Sequence, residues 1–199
     1  MSSRRPASDT VERVLHTFLR LVAERGIGGT TTRVLAEEAG VNEVTIFRLF
    51  GDKANLATEA FRRFSSADEF AHYPISVDTS SAQRACESLV ELLNFLRGRM
   101  QERPEFLQVG MAEYWRVPRL RDEIAATPVA AHALVERALD AAAPVLRPNL
   151  DRRAASLSLI GFLLVSVVWP DRGWIDLSEE DWCRAARQAI SGLLRADPE

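Results

Sequence analysis

Residues Thr31–Lys53 read TTRVLAEEAGVNEVTIFRLFGDK, and the punctuation of this stretch predicts two short helices around a tight turn. Thr31 stands where a hydroxyl caps a helix over Thr32–Ala39, with Val34, Leu35 and Ala39 turned inward and Gly40 at its end. Asn42 caps a second helix over Glu43–Phe50, and Val41 and Ile46 occupy the N′ and N4 positions of a hydrophobic staple. Gly51 closes that helix. Two short helices joined by Gly40-Val41-Asn42 have the dimensions of a helix-turn-helix, whose second member enters the DNA major groove. With Ile46 and Phe50 inward, a step of about 100° per residue turns Val44, Phe47 and Arg48 outward and leaves Glu43 and Thr45 on the flanks. A water-facing valine and phenylalanine on so short a helix are costly unless a partner covers them, and a valine suits a thymine methyl.

Helical signals dominate along the whole sequence: Ala, Leu, Arg and Glu abound, alternating β-branched runs are absent, and Pro and Gly fall between periodic segments. The expected architecture is all-α. A first helix over Asp9–Arg25 places Val11, Val14, Leu15, Phe18 and Val22 on one face, behind a short arm carrying Arg4 and Arg5. Asp52 caps a fourth helix expected to run to Phe70, and Pro74 marks a break. Further helices are expected over Ser81–Gln101, Pro104–Trp115, Pro118–Ala143 with a bend at Pro128, Pro148–Trp169 ended by Pro170, and Ser178–Ala196.

The 199 residues are 47% hydrophobic and 27% charged with a net charge of −3, which fits one or two small globular domains and excludes a protein that coats nucleic acid by bulk charge. Residues 1–64 carry ten Lys and Arg against eight Asp and Glu, whereas 65–199 carry fifteen against twenty, the sign expected if the N-terminal end meets an anion. Two cysteines, Cys86 and Cys183, are too few for a disulfide framework, and no secretory leader opens the sequence, so a reducing, cytoplasmic setting is expected. Ala154–Trp169 is almost wholly apolar but short of a bilayer crossing and interrupted by serines, which predicts a buried helix and no membrane partner.

Thr31–Lys53, with the preceding Leu21-Val22-Ala23-Glu24-Arg25-Gly26, resembles the DNA-binding signature of the tetracycline-repressor (TetR) family. The resemblance covers about 45 residues, and turn, caps, aromatic positions and lysine occur in it together. It implies an N-terminal three-helix DNA-binding unit, set at residues 1–52, and a larger helical domain over 53–199 for effector binding and dimerisation. It also implies a homodimer on a near-palindromic, double-stranded operator, placing the protein at the nucleoid. By that resemblance Thr31 meets a phosphate, Thr45, Phe47 and Arg48 form the recognition surface, and Lys53 meets the DNA backbone; Arg33, Asn42 and Val44 complete the expected contact set. Lys53 is the sole lysine among the twenty-five Lys and Arg, so it survives a strong compositional bias. Phe47, Leu49 and Val44 depart from a common tyrosine, histidine and glycine, which removes a hydroxyl contact and leaves the operator sequence unread.

Farther along, Phe95, Met100, Phe106, Met111, Tyr114 and Trp115 supply apolar and aromatic surface for a small effector with one or two polar groups. Leu157, Ile160, Leu164 and Val168, and Trp182, Ala186, Ala189 and Leu193, form stripes at helical spacing. By the resemblance these stripes build a four-helix dimer interface. Catalysis has little support: His16, His72 and His132 are scattered, and neither metal-ligand spacing, nor a nucleophile elbow, nor a phosphate loop is present. No metal or cofactor is expected. The function expected is a ligand-responsive repressor, with an effector-independent DNA scaffold or a helical carrier or enzyme as the competing classes.

Overall fold

The computed structural model describes residues 6–195, with side chains from Asp9 onward, so Arg4 and Arg5 of the expected arm lie outside the described residues. The helices are α1 (Pro6–Gly29), α2 (Thr32–Ala39), α3 (Glu43–Phe50), α4 (Lys53–Phe64), α5 (Ala67–His72), α6 (Ala82–Gln101), α7 (Pro104–Glu113), α8 (Arg121–Ala141), α9 (Arg152–Asp171) and α10 (Glu179–Ser191). Tight 3-10 turns occupy Pro118–Leu120 and Ala143–Val145. The β-type pairing among the described residues is a single antiparallel bridge, Leu146 to Leu194. The fold is all-α.

The backbone follows its caps. Thr31, Asn42 and Asp52 are extended, and their side-chain oxygens accept from Val34 N, Val44 N, and both Ala54 N and Asn55 N. Gly40 is left-handed at φ 63°, which lets Val41 N reach back to Ala36 O at 2.9 Å and end α2 cleanly. The fourth helix does not reach Phe70 as the sequence suggested. Ser65 is extended at ψ 137°, splitting the segment into α4 and α5, and Ser66 N finds the Thr127 hydroxyl at 3.3 Å. Pro170 lies inside the last turn of α9 instead of ending it, and the helix stops at Asp171, one residue later.

Packing divides the chain into two compact units, residues 1–65 with 103–126, and 66–102 with 127–199. The expected boundary after residue 52 differs from this division for a physical reason: Leu56, Ala57, Ala60, Phe61 and Phe64 of α4 share one core with Val14, Phe18, Leu35 and Ile46. Val109 of α7, with Leu120 and Ile124, completes that first core.

The second unit buries Leu89, Leu93 and Leu96 of α6, Leu134 and Leu139 of α8, Leu159 and Leu163 of α9, and Trp182, Ala186 and Ile190 of α10. The C-terminal stripe expected at a dimer interface therefore splits. Trp182 and Ala186 are buried within one chain, at 1% and 0% exposure, with no surface left for a second copy. Ala189 and Leu193 are half-buried against the same core. On α9, Ala155, Leu159, Leu163 and Val167 face the core while Leu157, Val165 and Trp169 are exposed. By length and composition α9 could cross a membrane, and 33% of its most apolar window is buried within the structure.

Candidate nucleic-acid interface

The sequence of α3 dictates which of its faces is free. Ile46 seals it to the first core, with Phe50 and Val41 packed alongside. Val44 is 71% exposed and Phe47 49% exposed, and Arg48 lies on the same open face. Arg48 makes no hydrogen bond or ion pair among the described residues, so its guanidinium fork is available to a ligand. Thr45, on the flank, is half-buried. The expected outward set is thus gathered on one surface of one short helix, with no acidic group pairing the arginine.

Around this helix, polar contacts fix the angle between α2 and α3. Thr32 Oγ1 donates to Glu43 Oε1 across the start of both helices. Glu43, on the flank of α3, is thereby engaged at the turn. Arg13 Nε donates to Ala39 O at 2.9 Å, holding the C-terminus of α2 to α1. Arg20 bonds Glu38 of α2 at 2.7 Å and Glu24 of its own helix at 3.0 Å, and these bonds, Glu38 first, raise the guanidinium's hold on its proton. Arg33 pairs with Glu37 on the exposed side of α2 at 3.2 Å, a surface contact of small energetic weight. Thr31 and Asn42 use their oxygens as helix caps, and Thr31 keeps a hydroxyl proton to donate.

Lys53 has a structural role that spacing could not reveal. Its Nζ donates to Ile27 O at 2.9 Å and Thr30 O at 3.2 Å, gathering the carbonyls at the end of α1. Only one of its three N–H bonds remains for a phosphate. Gly26 kinks α1 at φ 73° and ψ 165°, Thr30 Oγ1 donates back to Gly26 O at 3.0 Å, and Ile27 N donates to Glu113 Oε1 of α7 at 3.3 Å. A Cβ on Gly26 would sit 3.2 Å from that same carboxylate oxygen. Glu113, buried on α7, was invisible as a head residue because it lies eighty-six positions from Ile27. Replacing Lys53 with methionine is expected to lower stability by about 1–3 kcal/mol, since two inward carbonyls lose their donor. A urea midpoint equal to the parent's would mean that the ammonium contributes at DNA alone.

The expected effector residues are distributed over both units. Phe95 and Met100 belong to the second, where Phe95 stacks on Tyr73 at 4.2 Å. Phe106, Met111, Tyr114 and Trp115 belong to the first, where Phe106 meets Phe61 at 5.3 Å. Tyr114 and Trp115 meet edge to face at 5.0 Å, Arg121 lies over both rings, and Trp115 is 76% exposed. Among the described residues no group of three or more His, Cys, Asp or Glu gathers as a metal site.

Residues 14–60 match the family model described as bacterial regulatory proteins, tetR family. An uncharacterized HTH-type transcriptional regulator of Bacillus subtilis (strain 168), YvkB, is 39% identical over 57 residues, which span 29% of this chain and 30% of that protein. Among solved structures, the hemolysin II transcriptional regulator HlyIIR aligns over 95% of this chain and 99% of its own with a TM-score of 0.62 and 19% identity. NalD, described as the secondary repressor of the MexAB-OprM multidrug efflux pump in Pseudomonas aeruginosa, aligns over 94% of this chain and 98% of its own with a TM-score of 0.69 and 18% identity. These structural likenesses extend the fold through both units. The match over residues 14–60 runs from α1 through the helix-turn-helix into α4, and over that stretch the chain is similar to the tetR family of bacterial regulatory proteins.

Proposed function

We propose that the protein is a sequence-specific, DNA-binding transcriptional regulator that represses by occupying its operator and leaves it when a small, largely apolar effector binds. The observation that carries the reading is the surface of α3: Val44, Phe47 and Arg48 stand out from a helix whose Ile46 is locked in the core. A helix held this way presents base-reading side chains to a major groove, and the donor-bearing Thr31 and Lys53 flank it for phosphate oxygens. NalD, alike in fold, is described as a repressor, which supports the sign of regulation.

A second copy of the chain supports the two-fold operator. The open face of α9 carries Leu157 at 56% exposure with Val165 and Trp169, and half-buried Ile160, Leu164 and Val168 edge it. Covering this face with its own symmetry mate removes apolar surface from water and pairs two α3 helices, whose half-sites lie about 34–36 Å apart on one DNA turn. Replacing Leu157 with glutamate is expected to convert a dimer to a monomer at micromolar concentration in sedimentation. A parent that sediments as a monomer would remove this arrangement.

The effector part of the reading rests on aromatic surface that a flat apolar molecule can use, chiefly the Tyr114 and Trp115 pair. An effector that binds the off-DNA arrangement about 3 kcal/mol more tightly lowers operator affinity roughly a hundredfold. Selection of sites from random duplex DNA tests the core proposal. A palindromic consensus is expected; binding without sequence preference points to a scaffold, and no binding overturns the regulatory reading.

A further inference from the structure

In the second unit, the segment before α9 and the end of α10 are laced together reciprocally. Arg147 N donates to Leu193 O and Arg195 N to Val145 O, each at 2.9 Å. The side chains repeat the exchange: Arg147 Nε donates to Leu194 O at 3.1 Å and Arg195 Nε to Leu146 O at 2.6 Å. Both guanidinium groups are therefore anchored through Nε, and both keep their two terminal nitrogens without a partner among the described residues. Arg187, two turns back along α10, has no side-chain partner among the described residues either.

These three arginines line one groove of about 530 Å³ together with Ala82, Cys86, Ser191 and Leu194. Glu87 also lines it, half exposed and accepting from Arg84 at 3.4 Å and from Gln83 at 3.2 Å, the one carboxylate among the described lining residues. Three cations facing one carboxylate among the described lining residues leave the concavity net positive until an anion arrives, and the concavity focuses their potential. Guanidinium forks match phosphate oxygens in bidentate geometry, and forks pre-anchored at Nε lose little freedom on binding. The volume lies within the range of about 300–1,000 Å³ typical of small-molecule pockets and exceeds what a bare ion fills. Ala82 and Leu194 give it an apolar wall.

We propose that this groove binds a small organic polyphosphate, of the nucleoside diphosphate class, with the phosphates on Arg147, Arg187 and Arg195 and the organic part against Ala82 and Leu194. Inorganic pyrophosphate is the probe. Titrated calorimetrically into the full chain at fixed ionic strength, it is expected to bind saturably. Arg187→Gln should weaken that binding about tenfold or more, as the loss of one charge-assisted pair predicts. Arg187→Lys, which keeps the charge and loses the fork, should also weaken it measurably, while Arg48→Ala, remote in sequence on α3, should leave it unchanged. Because the Arg187 side chain is exposed and makes no hydrogen bond or ion pair among the described residues, both Arg187 variants should melt with the parent. Absence of saturable binding at about 10 mM overturns the proposal, as does an affinity that Arg187→Gln leaves intact. Equal affinity in the parent and Arg187→Lys overturns it too, since that marks diffuse charge in place of a built site. Duplex DNA binding that weakens in Arg187→Gln, without pyrophosphate binding, assigns the groove to nucleic acid instead.

Discussion

Alanine at position 182 is expected to lower the unfolding free energy by about 3–5 kcal/mol, the cost of emptying a large aromatic site in a packed core. Trp182 is stacked on Phe162 at 4.9 Å with the rings 10° from parallel, and its indole N–H donates to Asn94 Oδ1 at 2.6 Å. The guanidinium of Arg97 lies 4.7 Å from the ring centroid and is itself bonded to Glu179 at 2.8 Å. Removing the ring thus opens a void and strips a buried cation of its aromatic face, while Arg97 Nε already lacks a partner in the structure. For a chain of this length the change corresponds to a fall in Tm of about 6–20 °C. Differential scanning calorimetry reads it directly. The fall should not depend on protein concentration, because the contacts are all within one chain. A concentration-dependent fall, or a dimer that dissociates with little loss of Tm, would return Trp182 to the interface that its stripe suggested.

The second large effect belongs to Arg48. Its replacement by alanine is expected to weaken operator binding by about 1–3 kcal/mol and to relax preference at one position of each half-site, as the loss of a fork on a guanine edge does. Stability should not move, since the side chain is exposed and makes no hydrogen bond or ion pair among the described residues. Fluorescence anisotropy on the selected operator, repeated on sequences altered one base pair at a time, separates this from a uniform loss. Lys53→Met gives the contrast: affinity falls equally on every sequence, and the urea midpoint falls with it. If Arg48→Ala binds all sequences as the parent does, α3 is not the reading element.

What the sequence revealed followed from how local the physics is. Thr31, Asn42 and Asp52 cap helices through bonds to residues two or three positions away, so the positions of α2, α3 and the start of α4 could be read without any tertiary information. The open face of α3 followed from a 100° step and one buried isoleucine. Lys53 could not be placed correctly, because the carbonyls it gathers belong to a turn twenty-three and twenty-six residues earlier. Glu113 lay outside any local reading for the same reason. The Trp182 stripe misled because periodicity shows that a face is apolar, not whether the neighbour covering it is in the same chain. The first unit extends past residue 52 because α4 shares the core of α1, α2 and α3, and Val109, Leu120 and Ile124, distant in sequence, complete it, which no local pattern shows.

That borrowed segment has a consequence for how the protein is made. Val109, Leu120 and Ile124 belong to the core that supports α3, yet they leave the ribosome long after Phe64. At about 5–20 residues per second the interval is several seconds, during which the nascent head is short of part of its apolar filling. The second unit waits longer still, until Leu194 joins its core. The nascent chain therefore carries the α3 sequence into solution before the core that receives Ile46 is filled, and an eight-residue helix short of that packing is marginal in water.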